Sequence, residues 1–227
     1  MTWLALILLL IASPAWSAIA YVDSAGGGTA SGTAPTLTIP AGCQGRQAIV
    51  AIASNPIGGD SITSVADTSG STYTAVTSGN DLGFNYGALY RTANVIGSGD
   101  TLTVTFSAAH DIAIALACYS GGAAFGNSNV NTGGSTTSTV DVTTQDNNNY
   151  VAAGHAVQDT VSSCSVGTLR INQFSGGAVT VGISDNTAAS PGTVTNTCTI
   201  ASGSAIVTMG QEIRTVGPAA IFRRREQ

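Results

Sequence analysis

The sequence has very little charge, and its basic residues are all of one type. Charged side chains make up only 8% of the 227 residues, whereas about a quarter is usual for soluble domains. Lysine does not occur, and Arg223–Arg225 supplies three of the seven basic residues, so a net charge of −5 understates how acidic the rest of the chain is. This balance argues against a nucleic-acid-binding face. We interpret the arginine cluster as a solvated tail, with contact to phosphate or another subunit as the alternative.

The chain has only two tryptophans and two histidines, the residues on which sugar-binding surfaces and transition-metal sites commonly depend. Trp3 and Trp16 both lie near the amino terminus, so a processed chain keeps only tyrosine and phenylalanine as flat surfaces for sugar rings. The two histidines, His110 and His155, are too few for a typical copper or zinc site. His155 lies four residues before Asp159, but no G-x-S-x-G motif accompanies either histidine. We therefore interpret both as strand-end residues that are hydrogen-bonded to loops.

Carboxylate pairs are equally scarce. Glu212 is the only glutamate outside the C-terminal tail, so a glycosidase-type acid pair would consist mostly of aspartate. We therefore expect no enzymatic activity and no cofactor, except that calcium remains possible because it needs only oxygen ligands. The densest group of side-chain oxygens is the segment Asp146, Asn147 and Asn148. A plain polar turn explains this segment equally well.

The amino terminus has the pattern of a secretory signal. An apolar run over Leu4–Ala12 precedes two possible cleavage motifs, Ala-Trp-Ser at 15–17 and Ala-Ile-Ala at 18–20. The run is shorter than the roughly 20 residues of a membrane span, so we expect none after cleavage. We predict a signal peptide over 1–20, a β domain over 21–216 and a basic tail over 217–227. The weak positive charge before the run leaves an uncleaved anchor as the alternative.

Four cysteines follow the signal, and their even number in an exported chain predicts two disulfides. C-x-x-C spacing does not occur, so we expect neither a zinc site nor a redox pair. We favour Cys164 with Cys198, which would join neighbouring late strands, and Cys43 with Cys118. A pairing of Cys118 with Cys198 remains open, because each of these cysteines occupies an inward-facing position on its predicted strand.

After residue 20 the sequence has the period of β-strands. Apolar residues and threonines alternate over Thr101–Phe106, whereas Ala48–Ala53 and Ile112–Ala117 are apolar throughout, as in strands buried on both faces. Turn residues separate about twelve strands, without a capped helical stripe. We predict an all-β fold, a single antiparallel two-sheet sandwich that is jelly-roll-like. The low-complexity stretch Gly121–Ser138 is interpreted as a long surface loop rather than as a linker between domains.

Several strand-and-turn segments occur in a fixed order. They are Val65–Tyr73, Gly97–Phe106 and Tyr119–Gly121, followed by a threonine-rich strand at Thr136–Thr144, by a polar turn and an apolar strand over 146–153, and by a last apolar strand at 205–209. The series resembles a β-sandwich module of uncharacterised exported bacterial proteins and phage structural (virion) proteins. The resemblance covers nearly the whole chain after the signal and implies a structural or surface-binding role without catalytic residues. The cysteines do not belong to that pattern.

The segment Asp81–Arg91 is the best candidate for a ligand surface. On a strand, Phe84, Tyr86 and Tyr90 share one face, and Asn85 and Arg91 share the other. Aromatic rings beside polar groups are suited to stack on a sugar ring and hydrogen-bond to it. The interpretation that we favour is that the aromatic face belongs to the core.

Together these features predict a non-enzymatic structural or surface-adhesion β-sandwich protein. We expect it to be secreted, periplasmic or on the cell surface, or in the virion if a phage encodes it. Its partners would be other protein subunits or a cell-surface glycan. The alternative function is a carbohydrate-binding module of a secreted protein.

Overall fold

Strands account for most of the residues that the structure describes. The structure is a computed structural model that describes residues 18–55, 61–81, 85–122 and 124–215. The expected signal up to residue 17, Phe84 and the basic tail lie outside these ranges. The elements are β1 (Ala20–Gly32), β2 (Thr36–Thr38), a 3-10 turn (Ala41–Cys43), β3 (Gln47–Asn55), β4 (Ile62–Asp67), β5 (Thr74–Asp81), β6 (Asn85–Thr92), β7 (Thr101–Phe106), β8 (His110–Ser120), β9 (Ala124–Thr144), β10 (Asn149–Val157), β11 (Val161–Val166), β12 (Thr168–Phe174), β13 (Thr180–Ala188) and β14 (Gly192–Arg214).

The strands form three antiparallel sheets. The central sheet has the order β1-β8-β3-β6-β5, and the small sheet has the order β2-β7-β4. The large sheet has the order β11-β14-β10-β13-β12, with β9 also paired to β14. The prediction of an all-β antiparallel fold is therefore confirmed. Over the ranges described, no helix is long and apolar enough to cross a bilayer.

The central sheet is buried on both faces. In β3, Ile49 and Ala51 belong to the apolar cluster shared with the large sheet, whereas Val50 and Ile52 belong to the cluster shared with the small sheet. β8 shows the same alternation, as the two unbroken apolar runs predicted. Because each apolar face needs its own covering layer, the prediction of only two sheets is corrected to three. A jelly-roll arrangement is not confirmed.

The large sheet folds back over itself. Along the β9–β14 ladder, Ser138 lies opposite Cys198, and Thr208 lies opposite Asn131. The hydroxyls of Ser138 and Thr208 are nevertheless hydrogen-bonded to each other, which requires the strand pair to bend. A register break in β14 just after Thr199 marks the bend. The folded sheet encloses a second apolar interior, formed by Val140, Val142, Val151, Ala153, Ala188 and Val194.

The stretch 121–138 is not the surface loop that its composition predicted. From Ala124 onward it belongs to β9, which pairs with β14. Asparagine side-chain amides on the first half of β9 donate hydrogen bonds to backbone carbonyls on its second half: Asn127 to Thr143, Asn129 to Asp141 and Asn131 to Thr139, at 2.8, 2.8 and 3.0 Å. Glycine, asparagine and serine disfavour strands on average, but pairing with a neighbouring strand overrides that preference.

Both disulfides are the ones that the sequence favoured. Cys43 is joined to Cys118, and Cys164 is joined to Cys198. The first bond ties the 3-10 turn to β8, and the second connects β11 with β14. Each bond therefore closes within one half of the chain, because the central and small sheets precede residue 121 and the large sheet follows it.

Two glycines permit the central and large sheets to pack closely. A Cβ on Gly154 would lie 2.8 Å from the Cβ of Ala51. A Cβ on Gly87 would lie 2.9 Å from the Cβ of Val207. Both neighbours are short and attached directly to the backbone, so neither can rotate away.

We expect Gly154→Ala to destabilise the protein by about 1–3 kcal/mol, because the added methyl group overpacks the interface between the sheets. Urea unfolding measures the change. Ala75→Val is the control, since residue 75 is exposed on β5, and it should change stability by less than about 0.5 kcal/mol. Equal effects of the two substitutions would contradict the close approach at Gly154.

Each disulfide should contribute to stability independently. The bonds close segments with sequence separations of 75 and 34 residues, so chain-entropy arguments give about 4 kcal/mol for each. The double variants Cys43→Ala/Cys118→Ala and Cys164→Ala/Cys198→Ala should each unfold at lower urea concentration than the oxidised wild type. Reduced wild-type protein should be less stable than either variant, and equal stability of all four samples would contradict this expectation.

Candidate functional site

β10 carries a histidine into the interior that the folded large sheet encloses. Strand alternation directs Val151, Ala153, His155 and Val157 to this side of β10, whereas Ala152, Gly154 and Ala156 face the central sheet. The His155 side chain is fully buried. Its Nδ1 lies 2.8 Å from the Ser138 hydroxyl, and its Nε2 lies 2.8 Å from the Ser184 hydroxyl. The imidazole therefore bridges β9 and β13.

The hydrogen bonds continue beyond the two serines. The Ser184 hydroxyl donates to Asn196 Oδ1 at 3.2 Å, and Asn196 Nδ2 donates to the Val151 carbonyl at 3.3 Å. Because the Ser184 proton is used in this way, Ser184 accepts from Nε2–H of His155, and Nδ1 accepts from Ser138. Donor counting thus assigns the neutral imidazole with its proton on Nε2. The network joins β9, β10, β13 and β14.

The surroundings keep this imidazole uncharged. Burial lowers the pKa of His155 from 6.5 to about 4, because the protein interior solvates an imidazolium poorly. Asp159 does not complete a Ser–His–Asp triad, since its carboxylate accepts from the backbone N–H of Thr160 and from the Ser202 hydroxyl instead. The expectation that His155 is a strand-end residue bonded to a loop is corrected, whereas His110 does begin β8.

A disulfide lies against the same histidine. Cys198 Sγ is 3.3 Å from His155 Nε2, and the ligand atoms of His155, Cys164 and Cys198 all lie within 4.8 Å of one another. Thiolates would make this a plausible set of metal ligands. The two sulfur atoms are instead bonded to each other, so the group contributes packing and one weak hydrogen bond.

A shallow polar cavity adjoins this network. It has a volume of about 230 Å³, and Thr208, whose hydroxyl bonds to Ser138, forms part of its wall. The remaining wall consists mainly of small polar residues from the bend of β9. The Nδ2 of one of them, Asn131, is already engaged by the Thr139 carbonyl, so the fold itself uses part of the cavity's hydrogen-bonding capacity.

Glu212 is a second ionisable group inside the large sheet. Its side chain is fully buried. One carboxylate oxygen accepts from the Gln145 backbone N–H at 2.7 Å and from Asn149 Nδ2 at 2.6 Å, and the other accepts from the Asn127 backbone N–H at 3.0 Å. Three donors offset the cost of burying the carboxylate. Glu212 therefore connects β14 to β9 and β10.

The segment proposed for calcium forms the turn between β9 and β10. Asp146 pairs with Arg214, whose Nε lies 2.7 Å from a carboxylate oxygen. The Asn147 carbonyl accepts from the Thr215 hydroxyl at 3.3 Å, and Asn148 adopts a left-handed conformation with φ of 58°. These contacts are sufficient to make a braced polar turn. Calcium binding stays a prediction from the sequence.

The aromatic face of β6 packs against the core. Tyr86 and Tyr90 are partly buried against the cluster between the central and small sheets. Burial raises the pKa of Tyr90, with the nearby Tyr86 contributing in the same direction. Tyr86 and Tyr90 lie on one face of β6, as their spacing predicted. Their packing against the core accounts for both rings.

The opposite face of β6 also makes internal contacts. Asn85 is fully buried, and its Nδ2 donates to the carbonyls of Ala156 and Ala205 at 2.6 and 3.2 Å. Arg91 donates to Gln211 Oε1 at 3.1 Å, and its guanidinium lies 4.9 Å from the centre of the Phe125 ring. Both residues therefore hold the central sheet to the large sheet.

Sequence reasoning did not identify the Ser138–His155–Ser184 group or the role of Glu212. A usable signal was nevertheless present. His155 shares its strand parity with Val151 and Val157, and Ser138 precedes two valines at the same spacing, which predicts that both polar residues point into an apolar interior. Serine is so abundant in this chain that no single serine could be selected as the partner.

Stability should decrease as the pH falls, because of His155. In the unfolded chain this histidine titrates near its ordinary pKa of 6.5, whereas in the folded chain it titrates at about 4. The unfolded state therefore binds the proton first, so the contribution is complete above pH 6.5 and is lost towards pH 4. We expect a loss of about 3 kcal/mol, measured by urea unfolding across this range.

His155→Gln should lack this part of the pH dependence. Ser138→Ala is the matched control, since it removes the hydrogen bonds of the Ser138 hydroxyl to His155 and Thr208 but keeps the imidazole. This control should be less stable at every pH while retaining the decrease below pH 6.5. Identical pH profiles for wild type and His155→Gln would contradict the assignment.

No family model matches the chain, and neither a curated protein nor a solved structure matches it.

Proposed function

We propose that the chain is a non-enzymatic structural or surface-adhesion β protein that is exported or built into a phage virion. The observation that carries the proposal is that the ionisable side chains of His155 and Glu212 serve to join strands. Both are fully buried and hydrogen-bond strands of the large sheet to one another. An acid or base that serves catalysis must come within hydrogen-bond reach of its substrate, so the burial of these two side chains and their bonds to neighbouring strands support a structural role.

The disulfides and the surface support the same proposal. Disulfides form and persist in oxidising compartments, and both pairs of cysteines are bonded here. Outward positions of β9 and β11 carry mostly serine and threonine with few charges. Contacts of such a surface with other subunits would depend on hydrogen bonds and shape rather than on ion pairs. The resemblance to modules of exported and virion proteins agrees with this chemistry.

Fractionation of cells that produce the full chain tests the proposal. We expect the protein outside the cytoplasm, with both disulfides formed, either on intact cells or in purified phage particles. Mass spectrometry after alkylation without reduction should detect no free thiol. A reduced protein confined to the cytoplasm would contradict the proposal.

The carbohydrate-binding alternative makes a different prediction on a glycan array. Specific binding that is lost in Tyr86→Ala or Tyr90→Ala but kept in the corresponding phenylalanine variants would favour it, because phenylalanine retains a ring that can stack. We expect no specific glycan binding through these rings, since they pack against the apolar cluster between the central and small sheets.

A further inference from the structure

Ile19 is part of the core, although it lies inside the second of the two cleavage motifs. Its side chain is 3% exposed. It belongs to the apolar cluster between the central and large sheets, together with Tyr119 and Ile213. A signal that ended at Ala20 would remove this side chain and leave a cavity that the folded protein otherwise fills.

Strand β1 also starts before the second cleavage point. Ala20 pairs with Ser120, and its carbonyl accepts a hydrogen bond from the Ser120 hydroxyl at 3.4 Å. Tyr21 pairs with Tyr119, so the peptide bond between residues 20 and 21 lies inside a paired strand. Cleavage at this bond would therefore remove Ala20 and its pairing with Ser120 from β1, whereas Ala18 is exposed and precedes the strand.

We infer that the exported protein begins at Ala18, with hydrolysis of the Ser17–Ala18 bond. Water adds across that bond, which gives a carboxyl group on Ser17 and an amine on Ala18. Small residues at Ala15 and Ser17 meet the requirement of a signal peptidase as well as those at Ala18 and Ala20 do. The retained core residue therefore distinguishes the two sites. The inference rests on export, which is part of the proposed function.

N-terminal peptide mapping of the exported protein tests the inference. The full chain is produced with its own leader in a bacterial host, and the exported product is analysed by mass spectrometry. We expect Ala18 as the first residue. A product that begins at Tyr21 would overturn the inference but leave export intact. A product that keeps Met1 and stays in the cell would count against export as well.

Two substitutions in the full chain provide a second readout. Ile19→Ala should lower the Tm of the exported protein by several degrees, because it removes buried apolar volume. Val22→Ala is the matched control, since Val22 is 37% exposed, and it should have little effect. If the exported protein began at Tyr21, Ile19→Ala would yield a product with the wild-type mass and Tm, which would overturn the inference.

A pair of leader variants separates the two sites directly. Ser17→Leu places a large residue immediately before the proposed bond and should abolish the product that begins at Ala18. Ala20→Leu should be processed like the wild type, because residue 20 is exposed in the fold and follows the cut. The opposite pattern, with processing blocked by Ala20→Leu alone, would overturn the inference.

Discussion

Burial of the central sheet on both faces is the constraint on which the rest of the structure depends. Alternate residues of β3 and β8 belong to different apolar clusters, so two further sheets must cover them. Small side chains occupy much of the face towards the large sheet, including Ala51, Ala113 and Ala115. Such residues allow the sheets to approach closely, and Gly87 and Gly154 extend the same contact. The low charge of the sequence follows, since layers that are covered on both sides leave few positions for ionised groups.

In the large sheet, hydrogen-bonded polar side chains join strands that face each other. In the rest of the structure, apolar packing joins the layers. The bend of β9 and β14 brings strands together face to face, and side-chain amides and hydroxyls join them. A buried polar group is costly unless it is paired. The partners of His155 and Glu212 therefore specify one arrangement of the folded sheet, because a shift in register would leave these groups without them.

The sequence predicted the strand class, the doubly buried runs and the pairing of the cysteines, since each depends on local alternation or on neighbouring strands. It did not predict the third layer, although the apolar runs at 48–53 and 112–117 required a cover on each side. The strand over 124–138 was wrongly expected to be a loop, because its pairing with β14 joins segments far apart in sequence. The partners of His155 come from three different strands, so no local pattern could identify them.

The order of the layers follows the order of the chain. The central and small sheets consist entirely of residues before 121, and the large sheet consists of residues after 123. A chain that emerges amino terminus first can therefore complete two sheets and oxidise Cys43 with Cys118 before the second pair of cysteines appears. Until β14 arrives, however, the apolar face that later meets the large sheet is exposed. Vectorial synthesis thus reduces the opportunity for cysteine mispairing, while it makes the half-finished molecule vulnerable to aggregation.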